Sequence, residues 1–180
     1  MPSSIDNIVV LLPPPSVPSE NGGKPWSEIE QSIGSVLPAD YKNFIETYGS
    51  GRINKFIFAL NPFSMRRGLN LIDQIPRQLD ALRTLITDFA ETCPYALFPE
   101  HEGLLPFALT DNGDVIFWMT RGEPDEWSVV VNESRAPSYE EFGGGAISFF
   151  IALMTGAHTF RAFPSSIASM TPRFDPILPV

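Results

Sequence analysis

Trp26-Ser-Glu-Ile29-Glu-Gln-Ser-Ile33-Gly34-Ser-Val-Leu37-Pro38-Ala-Asp40-Tyr41-Lys-Asn-Phe44-Ile45-Glu-Thr-Tyr48-Gly49 is the stretch that decides the fold. Trp26, Ile29 and Ile33 recur at i, i+3 and i+7, one face of a helix, with Pro25 suited to its first turn and Gly34 to its end. Pro38 opens a second helix, in which Tyr41, Phe44, Ile45 and Tyr48 fall on one face, and Gly49 closes it. Two short amphipathic helices thus form a hairpin whose aromatic stripe must bury against another layer.

The segments downstream supply that layer. Arg52–Leu60 reads as a strand, although Ile53, Phe56, Ile57 and Phe58 are too crowded for simple alternation. Leu71, Ile75, Leu79, Leu82, Ile86 and Phe89 keep helical spacing to about Thr92, with Pro76 tolerable in a first turn or at a kink. Leu104–Thr110, Val115–Arg121 and Trp127–Asn132 then read as three strands of an antiparallel meander. Asn112-Gly113 forms the first turn and the acidic Gly122–Glu126 the second. Ala146–Thr155 is apolar all round, which predicts a buried helix ended by Gly156. The fold class expected is α+β, with an N-terminal helical hairpin and other helices packed on a mainly antiparallel sheet. The hairpin's aromatic face is expected to meet Phe107, Phe117 and Val130 of that sheet. Residues 1–25 read as a Pro-rich arm whose Ile8–Leu12 run is apolar enough to pack on the body. Residues 26–163 form the domain, and 164–180 a Pro-rich tail without regular structure.

Composition narrows the function classes. A chain of 180 residues with 43% hydrophobic and 12% aromatic content can bury a core of its own. Cys93 is the only cysteine, so no internal disulfide forms, and the start lacks the basic and long apolar runs of a signal peptide. The expected compartment is the cytoplasm. The net charge of −9 is concentrated: Asp88–Glu141 holds twelve acidic residues against two basic, and the remainder nine against ten. A field of that sign repels nucleic acid and favours basic partners, and it also serves solubility.

Catalytic and metal motifs fail on spacing. His101-Glu102 begins like a zincin helix, but position 105 is leucine rather than the second histidine. Asp111-Asn112-Gly113-Asp114 is a hairpin turn, because a calcium loop would need glycine sixth and glutamate twelfth. Gly143-Gly144-Gly145 precedes a helix without a following Lys-Ser/Thr and beside Glu140-Glu141, which reads as flexible punctuation. The expectation is no catalytic residue, no metal and no cofactor.

The order of these pieces carries a resemblance. The start Trp26…Ile29, Ile33-Gly34, Leu37-Pro38-Ala-Asp40-Tyr41…Phe44 and Tyr48-Gly49-Ser-Gly51 resembles that of the SUKH superfamily. Leu105-Pro106-Phe107-Ala108, Asn112-Gly113-Asp114, Trp118 and Trp127-Ser-Val-Val-Val131 are similar to its strand core, and Ser148–Leu153 to its last helix. The likeness spans roughly residues 26–155; the insert around Arg66–Glu91 and Pro76 departs from it. That superfamily takes in fungal cell-wall regulators and bacterial immunity proteins, so the resemblance implies a binding scaffold rather than an enzyme. It implies an immunity protein that sequesters a basic toxin domain such as a nuclease, or alternatively a regulatory scaffold for an endogenous protein. Neither nucleic acid nor membrane is an expected partner. The expected binding surface is the acidic turns, Asp111, Asp114, Glu123, Asp125 and Glu126, with Trp127 as an apolar anchor. Because the two turns leave opposite ends of the meander, they share a surface only if a sheet face lies open between them.

Overall fold

The computed structural model describes residues 4–177. Five helices, α1 (Ile5–Leu11), α2 (Trp26–Ile33), α3 (Ala39–Tyr48), α4 (Leu71–Asp88) and α5 (Ala146–Thr155), pack on one sheet. Its seven strands are β1 (Gly51–Ile53), β2 (Ile57–Ala59), β3 (Leu104–Thr110), β4 (Val115–Met119), β5 (Ser128–Asn132), β6 (Tyr139–Phe142) and β7 (Phe174–Pro176). All pairings are antiparallel, in the order β6-β5-β4-β3-β2-β1-β7. The fold is therefore α+β, a six-strand meander with β7 returning beside its first strand.

The helical hairpin forms as its periodicity dictates. Tyr41, Phe44, Ile45 and Tyr48 are fully buried and Ile29 nearly so, while Trp26 stays half-exposed with its Nε1 donating to Glu46 Oε1 at 2.6 Å. The stripe docks on one sheet face: Tyr41 meets Trp118 edge-on at 4.9 Å, and Trp118 stacks on Phe107 at 4.4 Å. Phe44 stacks on Tyr48 at 4.5 Å and reaches Phe150 of α5 at 5.1 Å. Phe117 and Val130, expected on this face, lie on the other one. Side chains alternate along a strand, so Trp118 facing α3 turns its neighbour Phe117 away, and Val130 is paired with Phe117. α4 packs over that second face, chiefly on β3. Both faces of the central strands are buried, and no open face joins the two acidic turns.

Three local expectations need correction. Arg52–Leu60 is a hairpin rather than one strand, because Asn54 and Lys55 both adopt positive φ (50° and 56°) and reverse the chain between β1 and β2. That turn accounts for the crowded apolar residues. Pro76 sits sixth in α4, neither in the first turn nor at the end, and the helix stops at Asp88. Asn70 compensates at its start by accepting from the Ile72 and Asp73 N–H groups. The tail beyond Pro164 is ordered: Ile167 and Phe174 are buried, and β7 pairs with β1 at the sheet edge, where proline is tolerated. Ahead of Trp26, α1 buries Ile8 and Leu12, and Ser19 bridges Gly49 so closely that a Cβ there would stand 2.0 Å from the Ser19 carbonyl oxygen.

Phe44→Ala is expected to destabilise the protein by about 3–5 kcal/mol, because it empties an aromatic site enclosed by Tyr48, Phe150 and Phe174. Tyr41→Phe should cost only about 1 kcal/mol, since the ring stays and one hydrogen bond to the Leu60 carbonyl goes. Urea denaturation midpoints measure both; equal losses would contradict the packing described.

Candidate functional site

The six residues expected to contact a partner separate into three groups. Asp111 is exposed on the β3–β4 turn, loosely paired with Arg52 at 3.8 Å. Asp114, in the same turn, is only 2% exposed. Its Oδ2 accepts from Thr110 Oγ1 at 2.6 Å and its Oδ1 from the Ser134 N–H at 3.0 Å, so it braces the turn instead of facing solvent. Trp127 is 4% exposed, packs on Trp118 at 5.9 Å and donates to the Gly122 carbonyl, so it is core rather than anchor. Glu123, Asp125 and Glu126 alone stand together and exposed, on a 3-10 turn over Pro124–Glu126 at the opposite end of the sheet from Asp111.

Around that turn two helix N-termini converge, and each is met by a carboxylate from another element. Asp125 Oδ1 accepts from the Ala39 N–H at 2.6 Å, tying the β4–β5 turn to the start of α3. Asp40, in the first turn of α3, accepts through Oδ2 from the Ile147 N–H at 3.0 Å at the start of α5. Both bonds satisfy first-turn donors that a helix cannot satisfy itself. The contact explains Gly145, where a Cβ would lie 2.6 Å from Asp40 Oδ2; this glycine is a requirement of close approach rather than flexible punctuation.

Two open clefts flank the junction, of about 270 Å3 beneath Asp40 and Asn43 and about 450 Å3 beside Glu126 and the Gly143–Gly145 backbone. They share Asp125, Gly145 and Ser148, which makes them one acidic groove. Ser128, which lines the second cleft, donates through Oγ to Oε1 of the exposed Glu141 at 3.0 Å. A separate groove of about 330 Å3 between α4 and the β5–β6 loop has an apolar floor of Leu82, Val115 and Phe117. Sequence reasoning names Asp40, Glu141 and Ser148 only in passing and assigns none of them to the binding surface. The only signal for Asp40 is its place two residues after Pro38, where an acid reads as an ordinary first-turn residue.

The groove offers carboxylates to a cationic group and no paired nucleophile and base. His158 is engaged by Glu140 Oε1 at 2.9 Å and packs against the Phe160 ring at 4.4 Å, and His101 lies exposed on a turn. Among the described residues no three His, Cys, Asp or Glu side chains gather as metal ligands, and no helix is long and apolar enough to cross a membrane.

Burial raises the Asp40 carboxyl above its ordinary range, and the nearby Asp125 charge pushes the same way, outweighing the N–H of Ile147. Its Oδ1 is buried without a hydrogen-bond partner, which adds to the cost of ionising it. A raised folded-state value means the native protein holds this proton more tightly than the unfolded chain does. Stability from this group is therefore present at low pH and falls as pH rises from the unfolded value, about 3.9, through the raised one. Asp40→Asn keeps an acceptor for Ile147 without the charge, so it should flatten that slope and match or exceed the parent stability at neutral pH. Asp40→Ala should lose about 1 kcal/mol. Denaturation across a pH series checks this; an Asn variant as unstable as the Ala variant would mean that the charge itself stabilises α5.

The sequence profile of the SMI1-KNR4 cell-wall family (SUKH_6) matches residues 24–150, from just before α2 into α5. No curated protein and no solved structure matches the chain. The match takes in α2, α3, α4 and the strands β1 to β6, and hence the whole acidic groove except α1, and on that extent the chain belongs to the SMI1-KNR4 cell-wall family of the SUKH superfamily.

Proposed function

We propose that this chain is a non-enzymatic protein-binding module that acts in the cytoplasm as an immunity protein, neutralising a basic toxin domain by direct binding. The observation that carries the reading is the exposure of Glu123, Asp125 and Glu126 together on one turn, with Asp125 and Glu126 lining an open groove, on a scaffold of the SMI1-KNR4 cell-wall family. A toxin that acts on nucleic acid presents a basic cleft to its substrate, and a rigid acidic surface competes for that cleft. Complementary charge raises the association rate and excludes wrong partners. Rigidity comes from the two carboxylate-to-helix bonds, which hold the turn to α3 and α3 to α5 before any partner arrives. A regulatory scaffold for an endogenous partner is the second reading, favoured by the cell-wall description of the family itself.

The first test looks beside this chain's gene for a reading frame encoding a large protein with a variable C-terminal domain and expresses that domain alone and together with the chain. Growth arrest relieved by the chain, with a complex on size exclusion, is expected; arrest unrelieved and no complex would favour the regulatory reading. Glu123→Lys with Glu126→Lys then locates the surface. Asp125 is left intact in this variant because it caps α3. Association with the toxin domain is expected to slow, most strongly at low ionic strength where screening is weakest. An unchanged rate in a normally folded variant would place the interface elsewhere.

A further inference from the structure

The two edges of the sheet are built differently. β7 is three residues long and ends on Pro176, which has no N–H to offer. β6 runs through Tyr139, Glu140, Glu141 and Phe142 without proline, glycine or a break in register against β5. The Glu133 N–H donates to the Ser138 carbonyl at 3.1 Å, which sets the phase of the ladder. In antiparallel alternation Glu140 and Phe142 then bond inward to Val131 and Val129, and Tyr139 and Glu141 direct their N–H and C=O groups outward. Among the described residues no backbone group of another segment bonds to Tyr139 or Glu141 from that side.

We propose that β6 is a docking edge, on which the protein partner lays an extended basic segment as an eighth strand. The proposal rests on the protein-binding reading above and names its mode. Main-chain hydrogen bonds would supply the affinity, and alternate side chains the selectivity. Charge selects the occupant. Glu141 is exposed beside the edge, and Glu126 and Asp125 line the groove into which the chain continues through Gly143 and Gly144. A second copy of this chain is disfavoured, because pairing β6 with β6 sets Glu140 and Glu141 of one copy against those of the other. Glu140 is already held by His158 and by the Arg161 N–H, so Glu141 is the carboxylate available to an incoming cation.

The test uses the intact, isotope-labelled protein and a capped Lys-Val-Lys-Val-Lys-Val peptide as probe. Two controls accompany it: the same peptide with glutamate for lysine, and the lysine peptide N-methylated at every residue. Amide hydrogen exchange at Tyr139 and Glu141 is expected to slow by about tenfold with the lysine peptide and to be unchanged with either control. No slowing, slowing that survives N-methylation, or protection mapped to another segment would overturn the proposal. Glu141→Pro provides a second reading, since it deletes an outward N–H while leaving the inward bonds of Glu140 and Phe142, and Glu141→Gln controls for charge. Loss of peptide binding with proline but weakening only with glutamine is expected; equal binding by the proline variant and the parent would sink the edge. Relief of growth arrest by the parent chain without any amide protection at β6 would reject the edge while keeping the immunity reading. Protection without relief would do the reverse.

Discussion

Tyr41 joins the layers of this protein. Its ring meets Trp118 of the sheet edge-on and lies 6.1 Å from Trp26 of α2, and its hydroxyl donates to the Leu60 carbonyl just beyond β2. Burial holds the phenol far above its usual titration range, so that donor is present at any ordinary pH. One residue earlier on the same helix, Asp40 caps α5. The helix that buries the aromatic stripe is thus also the helix that sets the acidic groove, and the groove cannot shift without disturbing the core.

That coupling decides which charges are available and which are spent. Asp114, Asp125 and Asp40 all hold backbone N–H groups, and their negative charge is partly committed to local structure. Glu123, Glu126 and Glu141 stand exposed at the same end of the sheet, where a partner can reach them. On the binding reading proposed above, this surface would be preorganised: the ordering cost that binding normally carries would already be met during folding, by packing and by helix capping.

Much of this architecture is legible in sequence because it rests on periodicity. The i, i+3, i+7 spacing of Trp26, Ile29 and Ile33, the stripe Tyr41–Tyr48 and the all-apolar Ala146–Thr155 each have one physical solution, and the structure adopts it. The failures are local or long-range. Asn54-Lys55 reverses the chain through two positive φ angles, and a lysine there carries no recognisable turn signal. β6 and β7 are edge strands of four and three residues, too short for their own composition to decide much, and the partner of β7 lies far back in the chain at β1. Phe117 and Val130 were assigned to the wrong face because alternation fixes relative, not absolute, orientation; Trp118 alone tells which side is which. The groove was half legible: charge density pointed to Glu123–Glu126, but it could not separate the exposed turn from Asp114 and Trp127, whose burial depends on contacts with Ser134 and Trp118.

On the proposed reading the working surface lies at one end of the sheet, where the β4–β5 turn, the end of β6 and the start of α5 meet. The most direct test is a hydrogen–deuterium exchange footprint of this chain in complex with a toxin domain whose growth arrest it relieves, compared with the free protein. The account predicts protection confined to residues 123–128 and 139–145, with the Asp111–Asp114 turn unchanged. Protection at that turn or along α4, with none at 123–128, would contradict it.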